Sequence, residues 1–387
     1  MDTKFVYLDN NATTQISPEV WKAMSKSQDL YGNASSMHAF GRASAMAVDK
    51  ARKQVSSLIG CDSDEVIFTS GATESNNTVF NIARDLIDKK KKNKTRILTT
   101  AIEHPATRET VKYLKKKGYT VDIIEVDETG LLKLDDLKSK ISDDVVLVSV
   151  MAANNETGTI QPIEEVAKIA HENGALFHTD ATQAIGKINI NMKEMGIDYL
   201  SLSAHKFYGP KGIGVLGKAK GAPMISLLHG GEQEKGYRPG TYDNISIIGL
   251  GEACEIAQRD LPKESKELWE MREALRKGIL ERIPNVVING NQEHCLPGTL
   301  NCSFPSAEGE SILLYLDMEG IAVSTGSACA TGSLEPSYVL LAGGLDVELA
   351  HGSIRFSMGK FNTMEDVDYV LEKLPPIIKR IREMSTR

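Results

Sequence analysis

Long apolar runs, surplus positive charge and paired cysteines are all missing from this sequence. No apolar run approaches the ~20 residues that a helix needs to cross a hydrocarbon core, so no membrane partner is expected. Met1 to Leu8 lacks the apolar centre of a secretory signal, which points to a cytoplasmic protein. Lys and Arg number 45 against 52 Asp and Glu, a formal charge of −7. A nucleic-acid binder ordinarily carries a basic excess or stripe. The one basic run, Lys89-Lys90-Lys91-Lys92-Asn93-Lys94, closes a helical pattern and reads as a solvated helix end. Nucleic acid is therefore not an expected partner. Cys61, Cys254, Cys295, Cys302 and Cys329 are odd in number, and no CxxC or His/Cys spacing suggests zinc. Reduced thiols and no resident metal are expected. There is no internal repeat and no low-complexity tract.

What is present is ordinary for a globular chain of 387 residues: 41% hydrophobic and 25% charged. That length suggests two or three domains. From Glu65 to about Leu216, apolar runs alternate with helical patterns. The runs are Val66 to Phe68, Arg96 to Leu98, Val145 to Val150, Ala175 to His178, Tyr199 to Leu202 and Ile213 to Leu216. They show little polar alternation, as expected of parallel strands covered on both faces. Helices are predicted over Thr73 to Asp88, Ala106 to Lys117 and Ile163 to Asn173, the last closed by Gly174. Before this region, Ser17-Pro18 should open a helix, and a second should run from Phe40 to Ile59 and stop at Gly60. After about Arg259 the rhythm changes to a charged helix (Lys263 to Ile283), short strands near 286–288 and 300–304, and helices over 309–319 and 364–384. The pattern predicts an α/β doubly wound domain followed by a smaller α+β domain.

Chemistry-bearing residues fall at the predicted strand exits. Lys206, in Ser203-Ala204-His205-Lys206, follows a buried strand and precedes a Gly/Pro-rich turn. It is either one more solvated lysine or an amine aimed into the crevice where open α/β sheets bind ligands, suited there to Schiff-base chemistry. Asp180 lies 26 residues earlier. It could cap a helix or pair with a pyridinium nitrogen, with Gln183 reaching a ring oxygen from the same side. Thr69 to Asn76 reads as strand, small-residue turn and helix start, a phosphate-binding geometry. His104, in Glu103-His104-Pro105, could stack on a flat cofactor, move protons, or be structural. Cys329 stands alone among small residues, Ser324-Thr325-Gly326-Ser327-Ala328-Cys329-Ala330-Thr331-Gly332-Ser333, as an exposed loop nucleophile would. The other four cysteines read as structural.

In combination these stretches resemble the NifS/IscS family of cysteine desulfurases, of the class V aminotransferase fold (pyridoxal-phosphate fold type I). The resemblance runs from Tyr7-Leu8-Asp9-Asn10-Asn11-Ala12-Thr13-Thr14 to Ile354-Arg355-Phe356-Ser357-Met358-Gly359. It includes Ala153 to Gly158, Ser203 to Lys206, Gly230 to Glu234, Ser327-Ala328-Cys329 and Ser333 to Ser337.

The family implies a large domain (15–258) with a mainly parallel seven-stranded sheet. A small domain, residues 1–14 and 259–387, would carry a cysteine loop at about 324–335. Lys206 would hold pyridoxal 5'-phosphate as the Schiff-base lysine. Asp180 would pair with the ring nitrogen, Gln183 with the phenolic oxygen, and His104 would stack and shuttle protons. Ala72, Thr73, Ser203 and His205 would bind the phosphate, with Thr241 reaching across a homodimer. Asn155 would contact both cofactor and substrate, sharing the substrate carboxylate with Arg355. Cys329 would take sulfur from L-cysteine as a persulfide, leaving alanine, and pass it to an iron–sulfur scaffold of the IscU/NifU type. A transient cluster bridged through Cys329 is compatible with that role. Two other readings are a different fold-type-I enzyme, which Cys329 argues against, and a non-enzymatic scaffold, which Lys206 argues against.

Overall fold

The computed structural model describes residues 4–89, 93–325 and 335–385. In chain order its elements are β1 (Val6–Tyr7), α1 (Pro18–Lys26), α2 (Ala39–Ile59), β2 (Val66–Thr69), α3 (Ala72–Asp88), β3 (Arg96–Thr100), α4 (Pro105–Lys116), β4 (Thr120–Ile124), α5 (Leu134–Lys140), β5 (Val145–Ser149), α6 (Ile163–Glu172), β6 (Leu176–Asp180), β7 (Tyr199–Ser203) and β8 (Gly214–Lys218). There follow α7 (Asn244–Arg282), β9 (Val287–Asn289), β10 (Thr299–Ser303), α8 (Gly309–Met318), β11 (Ile321–Ala322), α9 (Tyr338–Ala342), α10 (Val347–His351), β12 (Ser353–Ser357) and α11 (Met364–Ser385).

Seven strands form the central sheet in the order β2-β8-β7-β6-β5-β3-β4. The pairs from β7 through β6, β5 and β3 to β4 are parallel. The sequence pattern predicts 213–216 as another parallel strand, but β8 runs antiparallel to both β2 and β7. The reason is the connection: only the turn from Ala204 to Ile213 separates β7 from β8, and a parallel crossover needs about a dozen residues, usually with a helix. Edge strand β4 and the short helix α5 are not among the predicted elements, although Val121, Ile123 and Ile124 give β4 an apolar strand pattern.

Helix α7 begins well before the predicted Lys263 and continues through Pro262. Its first half packs Ile247, Leu250 and Cys254 into the core beneath the sheet, with Phe177 and Leu200. Its second half packs Leu268, Leu275 and Ile279 into another core, with Phe304, Phe356 and Leu374. Helix α2 lies so close to the first half that a Cβ on Gly251 would sit 2.7 Å from the Cα of Ala51. The smaller core is covered by an antiparallel sheet, β9-β10-β12, and by β1 paired with β11. Among the described residues, no helix is long and apolar enough to cross a membrane.

This topology gathers the carboxyl ends of β2, β3, β5, β6 and β7 on one edge, where open α/β sheets bind ligands. The N-terminal segment crosses that edge: Thr14 N–H donates to the His205 carbonyl at 2.9 Å. Strand β12 approaches from the smaller core.

Candidate active site

A cavity of about 390 Å³ opens at that edge. Its lining includes Ala72, Thr73, His104, Asn155, Asp180, Gln183, Ser203, His205, Lys206 and Arg355. All of these were singled out from sequence. Thr241 is elsewhere, beside Ser70, Gly212 and Arg238 in a separate depression. Cys329 lies outside the described residues.

At one end, the first turn of α3 faces the turn after β7, and Ala72 N–H donates to Ser203 Oγ at 2.8 Å. Helix N-terminal amides beside two hydroxyls and an imidazole suit a phosphate. His205 accepts or donates to Thr13 Oγ1 at 3.1 Å. Burial, then the charges of Lys206 and Lys211, push its pKa down to about 4, so it is neutral at pH 7.

In the middle, Asp180 ends β6. Its two oxygens accept from Asn76 Nδ2 at 2.7 Å and from Thr182 N–H at 3.0 Å. No helix starts there, so Asp180 closes a local turn and leaves a fixed carboxylate at the cavity. Asn76 ends the stretch read as a phosphate-binding turn, and its place one turn inside α3 is the sequence signal for its position beneath the site.

Lys206 Nζ donates to the carbonyls of Asn11 (2.7 Å) and Ala12 (2.8 Å). His104 is the N-cap of α4, its Nδ1 accepting from Ala106 N–H at 3.1 Å. The ring proton therefore sits on Nε2. Burial lowers the His104 pKa and Lys206 assists, against the opposing charge of Asp180. Neutral and protonated at Nε2, His104 offers a flat face and a hydrogen-bond donor. To take a thiol proton at Nε2 it would first have to give that one up.

The far end holds a buried guanidinium beside a buried amide. Arg355 on β12 donates to the Asn155 carbonyl at 3.0 Å and pairs with Asp9 at 2.7 Å. Arg355 Nε and Asn155 Oδ1 are buried without a partner. Such atoms are costly in a finished core and are explained by a polar ligand. Asp9 was not singled out from sequence. Ser324, on the cavity rim, exchanges backbone hydrogen bonds with Arg355 at 2.7 and 3.2 Å. Beyond residue 334 the chain returns at Ser337, whose hydroxyl donates to Glu156, and at Tyr338, whose hydroxyl donates to the Glu103 carbonyl at 2.5 Å. Burial pushes Glu156 up to about 7 and Glu103 up to about 8. Ser324 and Ser337, on the two sides of the sequence that contains Cys329, are thus bonded to Arg355, which lines the cavity, and to Glu156, which adjoins Asn155.

Burial raises the pKa of all four described thiols, Cys61 and Cys302 to about 12. None is a thiolate nucleophile at pH 7. Among the described residues no His/Cys/Asp/Glu group is placed to hold a metal.

His178, beneath the site, is fully buried between Ser149 Oγ (2.8 Å) and Ser201 Oγ (3.0 Å). Burial, outweighing the nearby Asp180 charge, lowers its pKa from 6.5 to about 4. The unfolded chain therefore binds the extra proton first, and stability is lost as pH falls from 6.5 through 4. The loss is of order 3 kcal/mol. Urea unfolding at pH 7 and pH 4 should show it, and His178→Asn should flatten it. Equal losses in both proteins would assign the acid sensitivity to other groups.

The class-V aminotransferase family model matches residues 6–370. Cysteine desulfurase IscS of Dictyoglomus turgidum is 47% identical over 381 residues, 98% of this chain and 96% of the relative. Cysteine desulfurase NifS of Azotobacter vinelandii is 45% identical over 382 residues, 98% of this chain and 94% of the relative. A solved NifS-like protein superposes with a TM-score of 0.89 at 40% identity, covering 99% of this chain and all of the other. The likeness spans both cores and every wall of the cavity, and the chain belongs to the class-V aminotransferase family, among its IscS and NifS cysteine desulfurases.

Proposed function

We propose that this cavity takes sulfur from L-cysteine, with pyridoxal phosphate as cofactor and Cys329 as the sulfur acceptor. The chain is a cysteine desulfurase, an enzyme class that depends on pyridoxal phosphate. The observation that carries our reading is one convergence. Lys206, the fixed carboxylate of Asp180 and the unpartnered atoms of Asn155 and Arg355 meet in a cavity rimmed by Ser324, just upstream of Cys329.

The residues fit the cofactor. Lys206 would hold it covalently, Asp180 would face its ring nitrogen, Gln183 its ring oxygen, and His104 its flat face. Ala72, Thr73, Ser203 and His205 would hold the phosphate, and Thr241 would complete that site in the other copy of a homodimer. When bound, the cofactor supplies an electron sink for charge at the carbon bearing the substrate nitrogen. Arg355 and Asn155 bind the substrate carboxylate and so orient that carbon toward Lys206. The Lys206 amine, once free, takes its proton. Cys329, as a thiolate, attacks the substrate sulfur; the carbon–sulfur bond breaks with its electron pair going to carbon, which takes up a proton, and Lys206 returns a proton to the carbon it deprotonated, giving a persulfide and alanine. Desulfurase activity implies an iron–sulfur scaffold as acceptor, and we assign a scaffold of the IscU/NifU type. Residues 15–258 would then form the cofactor-binding body, and 1–14 with 259–387 the body that brings Cys329 to it.

The test is an absorbance spectrum before and after L-cysteine and a reductant, with sulfide and alanine assayed together. A visible band that changes, with equal alanine and sulfide, is expected. A stable band with neither product would overturn the substrate assignment. Arg355→Lys should raise KM for cysteine about 10- to 100-fold with kcat nearly kept, the size of a lost charged hydrogen bond. An unchanged KM would remove Arg355 from carboxylate binding.

A further inference from the structure

Lys187 was not singled out from sequence and does not line the cavity, yet it reaches the site through two polar side chains. Its Nζ donates to Gln183 Oε1 at 2.8 Å and to Asn11 Oδ1 at 2.9 Å. Gln183 Nε2 in turn donates to the Asn11 carbonyl at 2.8 Å, the same carbonyl that receives Lys206 Nζ at 2.7 Å. Asn11 is itself fixed, its Nδ2 donating to the Asn155 carbonyl (3.1 Å) and to Thr299 Oγ1 (2.9 Å).

A glutamine amide can sit either way round, and its neighbours decide which end is oxygen. A charged lysine has three donors and no acceptor, so in that form Lys187, its pKa pushed below the usual range to about 7 by burial, requires the facing end of Gln183 to be the oxygen. The carbonyl of Asn11 accepts only, so the other end must be the NH2. One amide hydrogen is used on Asn11, and the second is left for the cavity that Gln183 lines.

We propose that Lys187 is a positioning residue that locks the Gln183 amide with its N–H toward the cofactor's ring oxygen. The proposal rests on the pyridoxal-phosphate reading above. Without the lock, the amide turns over part of the time and places one oxygen against another, which weakens cofactor binding.

The charge of Lys187 would also act on the bound ring. Burial pushes the Lys187 pKa down to about 7, with Lys206 and Arg355 adding to the fall and Glu264 opposing it. Removing a nearby cation makes protonation of the cofactor-bound site easier, so its titration moves to higher pH.

The experiment is a double-mutant cycle on refilled apoprotein, read by pyridoxal-phosphate affinity and by the pH midpoint of the visible band. Lys187→Met should weaken affinity roughly 5- to 10-fold and move the midpoint up by about one pH unit, within the range of one ordered hydrogen bond and one removed charge. Lys187→Arg should restore the affinity. In a Gln183→Ala background, Lys187→Met should change affinity less than about twofold, because the partner it orients is gone. A single mutant like the wild type, or effects that multiply independently of Gln183, would overturn the proposal. Should Lys187→Met fail to fold by circular dichroism, Lys187→Gln takes its place in the cycle under the same criteria. A wild-type protein with no visible band would instead overturn the cofactor reading.

Discussion

Lys206→Ala should lower alanine formation from cysteine by roughly 10³-fold or more, the scale of losing a positioned general base. The expectation comes from where the amine sits. Lys206 closes the short turn after β7, and its Nζ is fixed on the carbonyls of Asn11 and Ala12. No described side chain is a ready replacement. Lys187 lies behind Gln183 and Asn11 and does not line the cavity. His104 is neutral with its proton on the outward nitrogen. The variant should also lose covalent attachment: borohydride should fix pyridoxal phosphate onto the wild-type chain, seen as added intact mass, and not onto Lys206→Ala. Phosphate-end contacts through Ala72 and Ser203 remain, so weak noncovalent binding should persist. Alanine formation within tenfold of wild type would remove Lys206 as both anchor and base.

The sheet could be read from sequence because strands buried on both faces leave nearly continuous apolar runs. Val145 to Val150 and Tyr199 to Leu202 are such runs, and both became central strands. The direction of β8 was hidden, since an apolar run carries no sign of direction; only the length of the preceding turn does. Site residues at strand exits were readable for a related reason. Polar residues directly after an apolar run have few places to go except the sheet's ligand edge. That logic finds His104, Asp180 and Lys206. It misses Asp9, Asn11 and Lys187, whose places depend on the N-terminal segment crossing the sheet edge and on β12 arriving from the other core. Such contacts join residues up to 346 positions apart, as in Arg355 with Asp9, and no local pattern marks them. The N-terminal motif itself was visible through the family resemblance, but its hydrogen bonds were not.

Cys329→Ala should abolish sulfide and alanine production, a fall of at least about 10³-fold, on the scale of losing a covalent nucleophile. Cofactor affinity and the visible band should be unchanged, because every residue assigned to hold the cofactor lies outside the segment. The argument is partly one of elimination among thiols. Cys254 and Cys302 are fully buried, Cys295 is buried in the segment that bridges to Thr159, and Cys61 is held protonated by burial and by Glu65. None lines the cavity, so none can stand in for Cys329. The rest of the argument is attachment. Ser324 is bonded to the backbone of Arg355, the residue assigned to the substrate carboxylate, and Ser337 is bonded to Glu156. Both described flanks of Cys329 are therefore bonded at or next to residues that line the cavity, which favours proximity of the thiol to the substrate. Cys329→Ala should therefore separate the two halves of the chemistry. Exchange of the cysteine α-proton with deuterated solvent should continue through Lys206 while sulfur release stops. Sulfide release at wild-type rate in this variant would show that sulfur leaves without this thiol, and loss of proton exchange together with sulfide would place Cys329 in substrate binding instead of sulfur transfer.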